Sequence, residues 1–214
     1  QLLDHLAVTF MESNWDIKEL HRAIVTSQTY RQSAIHPDAI EMRQLDVDNQ
    51  FLWRANIRRL DAEQIRDNIL NVSGELELQL GGAGQDVDSP RRSAYLKMMR
   101  NHPHPFLLAF DATDGILSSP ERNTTTTPTQ TLLIMNNAWV LARATALSKL
   151  TLPPDMKNCE NNIDLIHWKL YSRCATDHEK QVARDFFSNA KSPEEAWTDY
   201  CHVLLAANEF LYIQ

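Results

Sequence analysis

Arginine side chains are concentrated in the middle of a sequence whose formal net charge is −7. A guanidinium group recognises carboxylate, sulfate or phosphate through paired hydrogen bonds. We therefore predict an anion-binding surface from six arginines that flank one irregular region: Arg58, Arg59, Arg91, Arg92, Arg100 and Arg122. The alternative is internal pairing of these arginines with acidic residues of the same region, which include Asp61, Glu63, Asp67, Asp86 and Asp88.

Four residues of the types used in metal binding and acid–base catalysis follow one another closely: His102, His104, Asp111 and Asp114. We predict neither a metal ion nor a catalytic residue here. If a metal were bound, His102 and His104 would be its ligands, and in a hydrolase Asp111 or Asp114 would act as the acid or base. The aspartates also suit a turn before Gly115. The sequence contains no GxSxG, HExxH, phosphate-loop or dinucleotide-binding motif.

Capping sequences mark the helices that must position these residues. The stretch TPTQ at 127–130 forms a capping box with proline at the first helical position, and predicts a helix over 128–150. Asp16 and Asp61 are suitable N-caps for two earlier helices. Three helices follow the one that TPTQ begins, and the last starts with the same kind of cap at Ser192.

These patterns predict a mainly α fold of about six helices with at most a small sheet. We expect a single helical domain over residues 1–214, with a loop-rich insert at about 75–127 in which SAYLKMMR, residues 93–100, is a candidate short strand. The first residues already follow a helical pattern, and no N-cap residue precedes Leu2. We therefore expect it to be a C-terminal fragment of a longer protein.

Composition narrows the classes of partner and cofactor. An acidic chain is poorly suited to nucleic acid, because phosphate binding requires a basic surface. No apolar stretch reaches the ~20 residues that cross a bilayer, and the opening residues lack the basic region of a signal peptide. The three cysteines have no metal or haem spacing, which leaves one disulfide or three buried thiols as alternatives. We expect no cofactor.

Two adjacent asparagines, Asn136 and Asn137, lie within the apolar positions of the helix predicted over 128–150. Asparagine is a poor helix former unless its amide is hydrogen bonded. We expect these two side chains to hold the 100–127 loop, with a ligand contact as the alternative.

Several stretches, taken together, resemble the planctomycete surface domain family, a bacterial family of unknown biochemical function. They are LLDHLAVTFMESNWDIKELHRAIVTSQTYRQS, DVDNQFLWRANIRRLDAEQIRDNIL, RRSAYLKMMRN, LLAFDATDG, TTTTPTQTLLIMNN and WTDYCHVLLAANEFLY. The resemblance implies an exported, extracytoplasmic protein in which a cytochrome-c-like module and a companion domain precede this one. It implies no catalytic residues.

Three hypotheses follow. The first is a non-catalytic helical module that binds upstream modules of the same polypeptide, another protein or an anionic glycan. The second is a hydrolase acting on polysaccharide, and the third is a docking module for a cytochrome-c-like partner domain. An enzyme should show a deep pocket where the 100–127 loop meets the arginines, with a carboxylate or histidine at its floor. A binding module should show the arginines paired internally.

Overall fold

The computed structural model describes residues 1–100, 102–113, 115, 120–155 and 158–213. The chain forms two compact units, residues 1–58 and residues 59–213. The single-domain organisation expected from the sequence stays a prediction.

The first unit contains three helices, α1 (Leu2–Glu12), α2 (Ile17–Thr26) and α3 (Ala39–Leu45). Asp16 caps α2 as expected, because its carboxylate accepts hydrogen bonds from the backbone N–H groups of Lys18 and Glu19. Helices α1 and α2 pack together, and none of the three helices contains a buried residue.

The second unit contains the hydrophobic core. Strand β1 (Arg58–Arg59), whose second residue begins this unit, pairs with β2 (Tyr212–Ile213). The helices between these strands are α4 (Ala62–Val72), α5 (Pro105–Ala109), α6 (Pro128–Asn136), α7 (Ala138–Thr151), α8 (Glu160–Tyr171), α9 (Asp177–Ser188), α10 (Pro193–Ala206) and α11 (Asn208–Leu211). Helices α7 and α10 form the most extensive helix pair, and Trp197 on α10 is fully buried in the core.

The mainly α fold with a very small sheet is confirmed, but the expected number of about six helices is wrong. The described residues form eleven α-helices. One reason is that α3, α5 and α11 are too short, at 7, 5 and 4 residues, to produce a helical repeat in the sequence. The other is a break at Asn137, which has extended backbone angles and accepts a hydrogen bond from the Trp139 N–H. Asn137 therefore ends α6 and caps α7 within the stretch predicted as one helix.

The region between α4 and α6 is mostly irregular. Among its described residues, regular structure is limited to α5 and a 3-10 helix over Ser93–Tyr95. The candidate strand SAYLKMMR is therefore wrong, although Gln85 and Leu96 form an isolated parallel bridge. The capping box at 127–130 is confirmed: the Thr127 N–H donates to Gln130 Oε1 at 3.2 Å. Within the described part of the chain, every helix is too short or too polar to cross a membrane.

A buried polar network joins the helices after α7. His167 is 1% exposed, and its Nε2 lies 3.0 Å from the hydroxyl of Tyr200. Arg173 makes paired hydrogen bonds to Glu179 and to Glu209, and so connects α9 with α11. Burial lowers the pKa of His167, so this imidazole is neutral in the folded protein at pH 7.

The three cysteines are free thiols, so neither of the two alternatives drawn from the sequence describes them. Cys159 and Cys201 are buried, whereas Cys174 is exposed. Burial raises the pKa of Cys201 to about 12.

Candidate functional site

Buried arginines organise the irregular region between α4 and α6. Arg59 begins the second unit, and its guanidinium donates hydrogen bonds to the Phe110 carbonyl (3.2 Å), to Asp111 Oδ2 (2.7 Å) and to the Thr125 carbonyl. In a segment that is neither helix nor sheet, backbone carbonyl oxygens lack the regular hydrogen bonds of secondary structure. A single guanidinium carries five N–H donors, and so satisfies several of these oxygens at once.

Arg66 on α4 holds the segment that leads into the 3-10 helix. Its guanidinium donates to the carbonyls of Val87 (2.7 Å), Ser89 and Arg91 (2.9 Å) and to Ser93 Oγ (3.2 Å). The side chain is 3% exposed. Burial lowers the pKa of Arg66, although this group stays charged at pH 7.

Arg91 makes the same kind of contact with the preceding loop. Its Nη2 donates to the carbonyls of Gln79 (2.8 Å) and Gly81, and its guanidinium carbon lies 4.5 Å from the ring centroid of Tyr95. Gly81 has a φ of 68°, a left-handed conformation that favours glycine. Arg91 thereby fixes a sharply turning loop.

Three of the other arginines named from the sequence lie near the surface; two have a carboxylate partner, and the third has none among the described residues. Arg122 forms a two-bond ion pair with Glu63, at 2.7 and 2.9 Å, and these hydrogen bonds lower the pKa of Glu63. The Arg92 Nε is 3.9 Å from the Asp67 carboxylate. The exposed Arg100 side chain has no hydrogen bond or ion pair with a described residue.

Arg58 belongs to the first unit, and its exposed side chain likewise has no partner among the described residues. Four of the six arginines therefore have internal partners: Arg59, Arg91, Arg92 and Arg122. The anion-binding surface stays a prediction, and Arg58 and Arg100 are the members whose guanidinium groups are free among the described residues.

The Asp111 side chain connects two loops through hydrogen bonds. Its Oδ2 accepts hydrogen bonds from Arg59 and from the Thr125 N–H (2.8 Å), and its Oδ1 accepts one from the Thr125 hydroxyl (2.9 Å). Partial burial acts to raise the pKa of Asp111, but the hydrogen bonds from Thr125 and Arg59 outweigh it and hold the pKa below its ordinary value. An ionised carboxylate with both oxygens engaged is poorly placed for acid–base catalysis. Asp114 lies outside the described residues.

His102 and His104 both line a groove in the second unit, between residues 86–99 and residues 102–107. The groove has a volume of about 590 Å³. We call it the methionine groove, and its lining residues are Asp86, Val87, Leu96, Lys97, Met98, Met99, His102, Pro103, His104, Pro105 and Leu107. Met98 and Met99 are more than half exposed, at 55% and 59%.

The backbone along one wall of the groove is only partly hydrogen bonded. The Gln85 N–H donates to the Tyr95 carbonyl (2.9 Å), and the Lys97 N–H donates to the Gln85 carbonyl (2.7 Å). Beyond Lys97 this pairing stops, and neither backbone group of Met98 is hydrogen bonded to a described residue.

A smaller pocket of about 80 Å³ adjoins the groove and shares Val87 and His104 with it. We call it the His104 pocket, and its lining residues are Arg66, Val87, Asp88, His104, Phe106, Asn137 and Trp139. The His104 Nδ1 is buried and has no hydrogen-bond partner among the described residues. Burial lowers the pKa of His104; the charge of Asp88 opposes this shift and the charge of Arg66 adds to it, so the imidazole is neutral at pH 7.

The two histidines do not make a metal centre with the rest of the described chain. Among the described residues, no group of three or more histidine, cysteine, aspartate or glutamate side chains is arranged to hold a metal ion.

A family model described as PSD1, a protein of unknown function (DUF1553), matches residues 1–187 of this chain. The chain belongs to the PSD1 family. The match includes the whole of the first unit, the methionine groove and the His104 pocket, so these features lie within the PSD1 region. Neither a curated protein nor a solved structure matches the chain.

Sequence reasoning named the two histidines of this region and Asn137, for which a ligand contact was the alternative, but missed its other parts. Met98 and Met99 lie in the segment SAYLKMMR, expected as a candidate short strand, and nothing in its pattern marked them as the wall of a groove. Asn136 and Asn137 were expected to hold the 100–127 loop, and that expectation is wrong. The Asn136 amide donates to the Leu132 carbonyl of its own helix, and Asn137 caps α7 and lines the pocket.

Proposed function

We propose that this PSD1 chain is a non-catalytic binding module, and that the methionine groove of its second unit holds an extended apolar segment of a partner polypeptide. The observation that carries the proposal is the composition of the groove. Seven of its eleven lining residues are Val, Leu, Met or Pro, and the polar ones do not belong to any group within the described chain that could hold a metal ion.

The groove walls suit a peptide better than a rigid small molecule. Methionine side chains are unbranched and polarisable, and surfaces rich in them adapt to apolar segments of different shape. Met98 adds a backbone N–H and carbonyl that are free of bonds to the described residues. An extended peptide that docks beside an open segment of backbone gains main-chain hydrogen bonds, while side-chain pockets provide selectivity.

The arginines support binding rather than catalysis, because the buried ones are engaged within the fold. Arg66 and Arg91 donate to backbone carbonyls, and Asp111 is ion-paired with Arg59. The planctomycete and exported setting implied by the resemblance belongs to this proposal, with the partner segment carried by another module of the same polypeptide.

Selection of peptides from a displayed library of unstructured sequences tests the proposal. We expect enrichment of apolar, extended peptides, and a loss of affinity of about tenfold or more in Met98→Glu and Met99→Glu, because each places a charge against an apolar ligand. Met135→Glu is the matched control, since Met135 is 51% exposed on α6 and lies outside the groove lining. Peptides that bind both groove variants as tightly as the unsubstituted protein would show that the groove is not the site.

A further inference from the structure

The His104 pocket opens from the methionine groove, because Val87 and His104 line both. A single water molecule requires ~10–15 Å³ of such space, so a pocket of about 80 Å³ admits a group of a few heavy atoms. The rings of Phe106 and Trp139 form part of its wall, with centroids 5.8 Å apart. An aromatic side chain or a sugar ring exceeds the space that remains.

The charges around the pocket are balanced in sign. Arg66 and Asp88 both line it, and Arg66 also interacts electrostatically with Asp67 and with Arg143. One positive and one negative side chain, Arg66 and Asp88, therefore line the same small volume. A cationic ligand would meet Arg66 and an anionic ligand would meet Asp88, so neither sign of charge gains a clear electrostatic advantage.

Hydrogen-bonding groups of the pocket without a partner among the described residues include those of His104 and Asn137, along with the exposed carboxylate of Asp88. Arg66 already donates to the surrounding carbonyls. The buried Nδ1 of His104 has no partner, and the Asn137 Nδ2 has none among the described residues, because only its Oδ1 is used to cap α7. A buried polar atom without a partner is energetically unfavourable, and His104 Nδ1 is such an atom. A ligand that supplies one donor and one acceptor would bond to both His104 and Asn137.

We propose that the His104 pocket is a subsite for a neutral carboxamide, as in the side chain of an asparagine or glutamine of the bound segment. The carboxamide N–H donates to His104 Nδ1, and its oxygen accepts from Asn137 Nδ2. This inference rests on the proposed function for its biological ligand, but the pocket itself can be tested without any peptide.

The test is a nuclear magnetic resonance titration with three small probes of similar size: acetamide, acetate and methylammonium, at matched ionic strength. The signals followed are the His104 ring protons and the Trp139 indole N–H, with His104→Phe used to assign the former. We expect saturable shifts with acetamide and weaker or no saturation with the two ions. Asn137→Ser retains an oxygen to cap α7 but lacks the amide donor, and should weaken acetamide binding by about threefold to tenfold.

Met98→Glu separates this subsite from the groove. Acetamide should bind Met98→Glu as it binds the unsubstituted protein, even though peptide binding is lost. Acetate or methylammonium binding as tightly as acetamide would overturn the carboxamide assignment. Absence of saturable shifts with all three probes, or acetamide binding that Asn137→Ser and His104→Phe leave unchanged while both remain folded, would overturn the subsite and leave the peptide groove standing.

Discussion

Arg91 and Arg92 are adjacent in the sequence, but their side chains differ in burial and in hydrogen-bond partners. The variants Arg91→Met and Arg92→Met therefore form a matched pair. The Arg91 side chain is buried, donates to the carbonyls of Gln79 and Gly81, and lies over the ring of Tyr95. The Arg92 side chain is 53% exposed, and its nearest carboxylate is 3.9 Å away. Methionine keeps an unbranched chain in both cases and removes only the guanidinium.

The expected difference in stability follows from these contacts. Hydrogen bonds to a charged group contribute ~1.5–3 kcal/mol each, and a cation–π contact adds ~0.5–1 kcal/mol. Gln79 and Gly81 are exposed, so water replaces part of what their carbonyls lose. We therefore expect Arg91→Met to reduce the free energy of unfolding by about 2–3 kcal/mol. Arg92→Met should change it by about 0.5 kcal/mol or less, as is usual for an exposed ion pair.

Urea unfolding gives the two free energies, and hydrogen exchange shows where the structure loosens. The reporter amides are those of Glu77, Gln85 and Lys97, whose N–H groups donate to carbonyls of the same irregular region. Arg91→Met should accelerate their exchange more than that of α10 amides, because the loop opens before the core. Equal destabilisation by the two variants, or unchanged exchange at all three amides in Arg91→Met, would refute the assignment of Arg91 as the residue that holds this loop.

Three further outcomes are expected. Gln130→Ala should destabilise by ~1–2 kcal/mol and speed exchange at the start of α6, since the capping box and the bond to the Ala109 carbonyl (2.9 Å) are both lost; unchanged exchange there would contradict it. The pKa of His167 is lowered by burial, so the unfolded state binds its proton more tightly, and the free energy of unfolding should fall as the pH drops below about 6.5. In urea unfolding, His167→Gln should make the free energy of unfolding depend less on pH below about 6.5. An equally steep pH dependence in this variant would contradict the role of His167. A thiol reagent should label Cys174 rapidly in the folded protein and the buried Cys201 only after unfolding, so that Cys174→Ser removes the fast phase.

The features that sequence reasoning captured are local ones. A capping box involves four consecutive residues, so the start of α6 at Pro128 could be identified without knowing what packs around it. The break at Asn137 also has a local signal, because asparagine is a good N-cap. The apolar residues before and after it continue one helical spacing, and this spacing concealed the break. The second of two adjacent asparagines among apolar helical positions could therefore have been interpreted as a cap rather than as a loop contact.

The features that could not be derived depend on contacts between distant residues. Arg66 on α4 reaches carbonyls more than twenty residues later in the chain, and a backbone carbonyl carries no signature in the sequence. Charge pairing was the natural expectation for an arginine, and it describes Arg122 with Glu63 well. It does not describe Arg91, because the partners of that side chain are peptide groups.

The same buried guanidinium groups connect the stability of this PSD1 chain to its proposed binding. Val87 lines both the methionine groove and the His104 pocket, and its carbonyl is held by Arg66. A wall of irregular chain would otherwise sample many conformations, and each would have to be restricted when a ligand binds. If the groove binds the proposed segment, Arg66 would lower the entropic cost of binding by fixing that wall in advance, without contacting the ligand in the groove. Substitution of Arg66 would thus reduce affinity by loosening the wall, whereas Met98→Glu would reduce it through direct contact with the ligand. Only the substitution of Arg66 should be accompanied by faster hydrogen exchange at Gln85 and Lys97.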